Sequence, residues 1–197
     1  MVGLTKQAAL LSEKQVKNAI SRMSDYKNSL RNRAIIELTL YAGLRAKEVA
    51  SLRWSHILNE EGEVGEVIAL TNDASKGKSG GLVPINSKLK ATLLELWNEK
   101  KGKTANDAVI SNSQGQALKR QSVVNLLWEH YRRCDIPGAS SHSGRKFFIT
   151  SAARKISLVG GSINDIREIA RHKNLQTTQR YISQNSEAQL KVVEMIV

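Results

Sequence analysis

A chain of 197 residues that is 41% hydrophobic can bury one sizeable core, so one domain with appended ends is the natural expectation. Thirty Lys and Arg against 18 Asp and Glu leave a formal charge of +12, which favours a polyanionic partner by long-range steering. No apolar run approaches the length of a transmembrane helix and no apolar signal segment opens the chain, so nucleic acid is favoured over membrane and a cytoplasmic, nucleoid-associated setting is expected.

Aromatic residues make up only 5% of the chain, which argues against a single-strand binder built on stacked bases and leaves the duplex backbone as the expected target. The sole cysteine, Cys134, has no internal disulfide partner and reads as a small buried hydrophobe. No His-Glu-x-x-His, cysteine pair or acidic cluster is present to hold a metal, and no cofactor is expected.

In chain order, Ser12-Glu13-Lys14-Gln15 reads as a capping box opening a helix that buries Val16, Ile20 and Met23. A second helix is expected from Leu30 to Tyr41, with Ala34, Ile35, Leu38 and Tyr41 at helical spacing and Gly43 as its stop. A short helix should begin just after Arg45. Between Trp54 and Ile85 the period becomes that of strands: Ile57-Leu58, then Val64 to Leu70, then Leu82 to Ile85, the last on an edge or near an end because of Pro84. The polar connection from Thr71 to Gly81 carries Lys76 and Lys78. It reads either as a solvated hairpin tip or as a mobile arm that brings a lysine to a phosphate.

Helical spacing returns from Ser87 to Glu99 (Leu89, Leu93, Leu94, Trp97) and from Gln121 to Cys134 (Val124, Leu127, Trp128, Tyr131). Ala108 to Ile110 reads as a short strand and Ser111 to Gly115 as a turn. Trp54, Trp97 and Trp128 all lie on apolar faces and are expected in the core, whereas His56 and His130 have no ligand-like company. Lys119, Arg120, Arg132 and Arg133 make the last of these helices basic. Ser140-Ser141 caps a helix carrying His142, Arg145, Phe148 and Ile149, and Ser162 to Asp165 caps another that buries Ile166 and Ile169. A short helix bearing Tyr181 follows, and the tail from Glu187 to Val197 is amphipathic, with Leu190, Val193 and Ile196 at helical spacing.

The chemistry concentrates between His142 and Tyr181. His142 and Arg145 stand three apart and share a helix face, and His172 precedes Tyr181 by nine positions. Two imidazoles, a guanidinium and a phenol suit a pentavalent phosphate: fixed donors to the non-bridging oxygens and a nucleophile in line with the leaving oxygen. Taken singly each residue has a plainer reading. Arg45 alone is a solvated loop charge with Glu48 its helical neighbour, and a lone Tyr near a C-terminus is core or cap.

The ordered set is more specific than its members. Gly43-Leu44-Arg45-x-x-Glu48, a lysine hairpin followed by Val83-Pro84-Ile85, His142-x-x-Arg145, and His172 with Tyr181 nine positions later resemble the catalytic domain of the tyrosine recombinases, the phage-integrase family. Leu52-Arg53-Trp54-Ser55-His56-Ile57 and Thr177-Thr178-x-x-Tyr181 are similar to further family segments, and the resemblance runs from about Leu11 to Ser186. It implies a mainly α-helical domain with a small antiparallel β-sheet (α+β), spanning residues 12–186 between a short N-terminal extension and the 187–197 tail.

The resemblance further implies a site-specific recombinase or integrase of a mobile element that cleaves and rejoins double-stranded DNA without metal or ATP. Arg45 and Arg145 would hold the scissile phosphate, with His142 and His172 supporting them by hydrogen bonding and proton handling. Lys76, with Lys78 as the fallback, would protonate the leaving 5′ oxygen, and Glu48 would hold the scaffold. Tyr181 would form a 3′-phosphotyrosyl intermediate. Lys78, Lys119, Arg120 and Lys146 would contact DNA. Self-association is implied too, a tetramer on DNA from a free monomer or dimer, with the tail exchanged between protomers and an accessory DNA-bending or clamp-supplying protein. A non-catalytic DNA-binding regulator and a type IB topoisomerase-like relaxase are the alternatives on the same scaffold.

Three departures stand out. The family commonly has glycine where this chain has Arg171, and leucine where Gly144 removes an apolar anchor and should weaken the helix. Family members also usually carry an N-terminal helical domain of roughly a hundred residues that closes a clamp on DNA. Only about ten residues precede the first helix here, which is expected of a minimal recombinase or of a fragment.

Overall fold

The structure is a computed structural model that describes residues 8–71, 80–99, 102–181 and 193–194. Its described part is mainly helical with one small antiparallel sheet, as the sequence leads one to expect. The first helix, α1 (Glu13–Ser21), opens on the full capping box of Ser12 and Gln15 and buries Val16 and Ala19. α2 (Ser29–Tyr41) is the centre of the core. Its residues Ala34 to Leu40 are all buried, because α1, the short α3 (Ala46–Ser51), α4 (Ser87–Asn98) and α6 (Ser143–Lys155) pack around it. A helix surrounded in this way shows no single apolar stripe.

The strand region is smaller than its sequence period suggests. β1 (Val67–Leu70) and β2 (Gly81–Pro84) pair antiparallel in the register Val67 to Pro84 and Leu70 to Gly81. Leu58 forms only a single bridge with Val64, since residues 54–56 coil into a 3₁₀ turn that buries Trp54, and Ala108 likewise makes one bridge, with Arg53. The lysine arm, with Lys76 and Lys78, and nearly all of the 187–197 tail lie outside the described residues.

α5 (Arg120–Arg133) buries Val123, Leu127, His130 and Tyr131, an i, i+4, i+7, i+8 face. Trp128 is not on that face. It is 53% exposed, with the Arg132 guanidinium over its ring, so its place is the surface and not the core. Trp54 is fully buried, and the half-buried Trp97 packs on it with ring centroids 4.8 Å apart. His130 is structural: its ring meets the Ala19 carbonyl and the Tyr26 hydroxyl. A second, small core of Ile149, Ile166 and Ala170 joins α6 to α7 (Ile163–Ile169), and Tyr181 packs against it just beyond α8 (Leu175–Gln179).

Candidate active site

Four chain segments converge: the turn after α2, the start of α6, the turn after α7 and the end of α8. Gly43 makes the first possible. Its φ of +61° is left-handed, and a Cβ there would sit 2.4 Å from the Phe148 ring, so a side chain is excluded twice over. The chain then enters α3 with Arg45 at the N-cap. Arginine has no acceptor and cannot cap α3 itself, but Glu48 reaches back to accept from the Arg45 backbone N–H at 2.7 Å. The other oxygen of Glu48 accepts from Arg45 Nη1 at 2.8 Å. The carboxylate thus fixes both the backbone and the guanidinium of Arg45, whose side chain remains partly open to solvent.

Arg145 lies in the first turn of α6 and is almost wholly buried. Its Nη1 donates to the Gly43 carbonyl and its Nη2 to the Ala170 carbonyl, which ties the Arg45 turn to the His172 turn. Burial, followed by the fields of Arg45 and Arg171, pushes this guanidinium down to about 9, so it stays charged at neutral pH. α6 can come this close to α2 only because of Gly144. A Cβ on Gly144 would meet Thr39 Oγ1 at 2.3 Å and Thr39 Cβ at 2.8 Å. The glycine that should weaken α6 is therefore what seats it.

His142 is the N-cap residue of α6, exposed, in the position assigned above to Ser140-Ser141. The two serines act nearby instead: Ser140 Oγ accepts from the His142 N–H, and Ser143 Oγ accepts from the Ser140 N–H. Shielding by surrounding atoms and then the charges of Arg120, Arg145 and Arg45 lower His142 below the ordinary imidazole range.

His172 is placed by the way α7 ends. Arg171 N–H donates to the Glu168 carbonyl and His172 N–H to the Arg167 carbonyl, the paired bonds of a Schellman motif, with Arg171 at φ +53°. Glycine suits that left-handed position, which costs another residue roughly 1 kcal/mol or more. Here Arg171 compensates through its side chain, donating from Nη2 to Glu48 Oε2 at 2.7 Å in a nearly fully buried ion pair. Burial alone would raise the Glu48 carboxyl, but Arg171 and Arg45 together hold it below the usual carboxylate range. His172 Nδ1 shares a 2.9 Å hydrogen bond with Thr178 Oγ1. Burial and the Arg145, Arg45 and Arg171 charges push its imidazole down to about 4, so it is neutral at pH 7.

Tyr181 stacks on His172 with ring centroids 5.7 Å apart and shares an open cavity of about 380 Å³ with His142, Lys146, Thr177 and Arg180. The structure thus gathers Arg45, Glu48, His142, Arg145, His172 and Tyr181 in one region. Lys146 Nζ is bound to the Ala8 carbonyl at the cavity rim, Lys119 and Arg120 are exposed at the start of α5, and the charge of Arg120 reaches His142. Sequence reasoning did not foresee the Arg171 ion pair, the Thr178 hydrogen bond or the two carbonyl anchors of Arg145. Of these, only the Thr177-Thr178 pair left a mark in the sequence. Among the described residues no three His, Cys, Asp or Glu side chains group as a metal site.

Known proteins bear on this arrangement. The model of the phage integrase family matches residues 9–188. The tyrosine recombinase XerC of Myxococcus xanthus is 31% identical over 176 residues, covering 83% of this chain and 54% of that protein. The TnP I resolvase of Bacillus thuringiensis is 30% identical over 167 residues, with coverages of 83% and 53%. The crystal structure of XerA recombinase superposes with a TM-score of 0.73 at 21% identity, over 99% of this chain and 66% of that one. The Tn1549 transposon integrase in complex with circular intermediate DNA gives 0.75 at 16% identity, over 98% and 69%. The chain spans about half the length of the curated relatives it matches. With the family model matched over nearly all of its residues, the chain belongs to the phage integrase family, the tyrosine recombinases.

Proposed function

We propose that this chain is the catalytic domain, over residues 12–186, of a site-specific recombinase that cleaves and rejoins duplex DNA through a 3′-phosphotyrosyl intermediate. The observation that carries the reading is the stacking of the Tyr181 phenol on a neutral imidazole in the field of Arg45 and Arg145. A phenol whose ordinary pKa is about 10 needs a proton acceptor and a cationic surrounding to attack near neutrality. Tyr181 Oη attacks phosphorus and gives its proton to a neutral imidazole, His142 or His172. The P–O5′ bond breaks as the new P–O bond forms, and Lys76, with Lys78 as the fallback, protonates the leaving oxygen. Arg45 and Arg145 donate to the non-bridging oxygens, where their planar forks match the geometry and neutralise growing charge. A second strand's 5′ hydroxyl reverses the attack and regenerates the phenol.

The duplex is held mainly by its backbone, in keeping with a net charge of +12, with Lys119, Arg120 and Lys146 as contacts near the cleaved strand. On DNA the protein assembles as a tetramer from a free monomer or dimer, with an accessory DNA-bending or clamp-supplying protein, and works on nucleoid DNA. The 187–197 tail passes to a neighbouring protomer, a reading that rests on its amphipathic spacing. Deleting it should leave cleavage but weaken assembly on DNA, and unchanged assembly would refute the exchange.

The decisive experiment selects bound duplexes from a random pool, then presents them nicked as suicide substrates. A denaturant-resistant protein–DNA adduct should form and Tyr181→Phe should abolish it while binding persists. Salt-sensitive binding with no adduct on any selected duplex would overturn the reading in favour of a DNA-binding regulator. Plasmid relaxation without recombinant products would favour the topoisomerase-like alternative.

A further inference from the structure

The position that most departs from the family pattern also makes the longest-range ion pair in the site. Arg171 occupies a left-handed turn that glycine would fill without strain, and its guanidinium meets a carboxylate 123 residues earlier in the chain. That carboxylate, Glu48, is the one that grips Arg45 through both backbone and side chain. The aliphatic stem of Arg171 runs beside Gly81 on β2, so the same side chain lies at the base of the strand pair. The next residue is His172, whose ring stacks on Tyr181.

We propose that Arg171 is a positioning residue that neutralises Glu48, so that Arg45 is held in place without losing its pull on a phosphate, and that locks the His172 turn to the Arg45 corner. The proposal rests on the reading of Arg45 and Arg145 as phosphate donors. Arg45, Arg145 and Arg171 against Glu48 leave a surplus of two positive charges in this cluster, and without Arg171 the surplus falls to one. A buried carboxylate left with Arg45 alone would turn that guanidinium inward, away from an incoming anion. Arg171 itself is buried and need not touch the substrate.

The test uses inorganic phosphate as probe, followed by NMR on the imidazole signals of His142 and His172, in the full chain. Arg171→Gly relieves the left-handed backbone but breaks a buried ion pair, so a purely structural role predicts a change in folding stability alone, with phosphate affinity unchanged. The proposal predicts about a tenfold weaker phosphate affinity. It also predicts a His172 titration midpoint moved upward by loss of a like charge. The double substitution Arg171→Gly with Glu48→Gln restores the charge balance and keeps one oxygen to accept from the Arg45 N–H, so it should recover part of the lost phosphate affinity. Arg171→Met, which keeps the length of the side chain, should repeat the loss. Equal affinity in wild type and Arg171→Gly, including no measurable binding by either, overturns the proposal. So does a double substitution that recovers nothing. Because no DNA cleavage is read, failure of the adduct experiment and failure of this one are separate results.

Discussion

The ring planes of His172 and Tyr181 lie within 23° of parallel, and Thr178 sets both residues. Its hydroxyl shares a hydrogen bond with His172 Nδ1, and its carbonyl accepts from the Tyr181 N–H at 2.9 Å. Thr178 is fully buried, so the bond to the imidazole is shielded from water. The single bond at Nδ1 leaves the other ring nitrogen uncommitted among the described residues, which is the condition for an imidazole that handles a proton.

His172 should titrate with a midpoint of about 4, read by NMR, against an ordinary imidazole value of 6.5. Folding then disfavours protonation, so the unfolded chain binds more protons between those values. The stabilising contribution is complete above the unfolded value and is lost as pH falls through the window toward 4. Its size is on the order of 2 kcal/mol after allowance for partial exposure, and His172→Gln should flatten that slope in urea titrations. If duplex DNA binds as proposed, its phosphate near His172 should raise the midpoint. A midpoint near 6.5 in the free protein would contradict the field from Arg145, Arg45 and Arg171.

Gly144→Ala sets helix propensity against packing. Propensity alone would stabilise α6 by about 1 kcal/mol. The added methyl would lie 2.3 Å from Thr39 Oγ1, 2.8 Å from Thr39 Cβ and 3.3 Å from the Thr39 backbone carbon, and Thr39 is fully buried and bonded to the Ile36 carbonyl. The clash should win by roughly 1–3 kcal/mol, a fall in Tm of about 3–10 °C. Gly144→Leu, the family's usual residue, should cost more. A Tm that rises with Gly144→Ala would mean that α6 and α2 are not in close contact here.

These two glycine-related positions mark where the sequence stops being legible. Local rules reached the Ser12–Gln15 box, the stop at Gly43 and the Arg45–Glu48 entry into α3, because each is settled within a few residues. The spacing of His142, Arg145, His172 and Tyr181 was legible as an ordered set. Gly144 was not, since its reason is a residue on another helix. Arg171 was not, since its partner lies far back along the chain. The apolar stripe of α5 misled about Trp128 because Val124, Leu127 and Trp128 lie on an arc rotated away from the face of Val123, Leu127, His130 and Tyr131 that the helix buries.

That difference can be measured. Trp54→Ala removes a fully buried indole and should cost about 3–5 kcal/mol in urea denaturation. Trp128→Ala removes an exposed one and should change stability by no more than about 0.5 kcal/mol. Trp128 fluorescence should be quenched by added acrylamide while that of Trp54 is protected. Comparable losses from the two substitutions would return Trp128 to the core.

Arg145→Lys separates charge from geometry at the heart of the site. Lysine keeps the positive charge but has a single ammonium in place of the two nitrogens that reach Gly43 and Ala170 on opposite turns. One buried carbonyl would lose its donor, a cost of about 1–3 kcal/mol in stability. The turn carrying His172 would lose its tie to the turn carrying Arg45. On a suicide duplex the adduct should therefore form roughly a hundredfold more slowly or worse, the scale expected for losing one fixed donor to the transition state. Duplex affinity at matched salt should change little, because the number of cations facing the backbone is unchanged. If the lysine variant forms adduct within severalfold of the wild-type rate, a point charge is enough at this position and the bridging role of Arg145 is wrong.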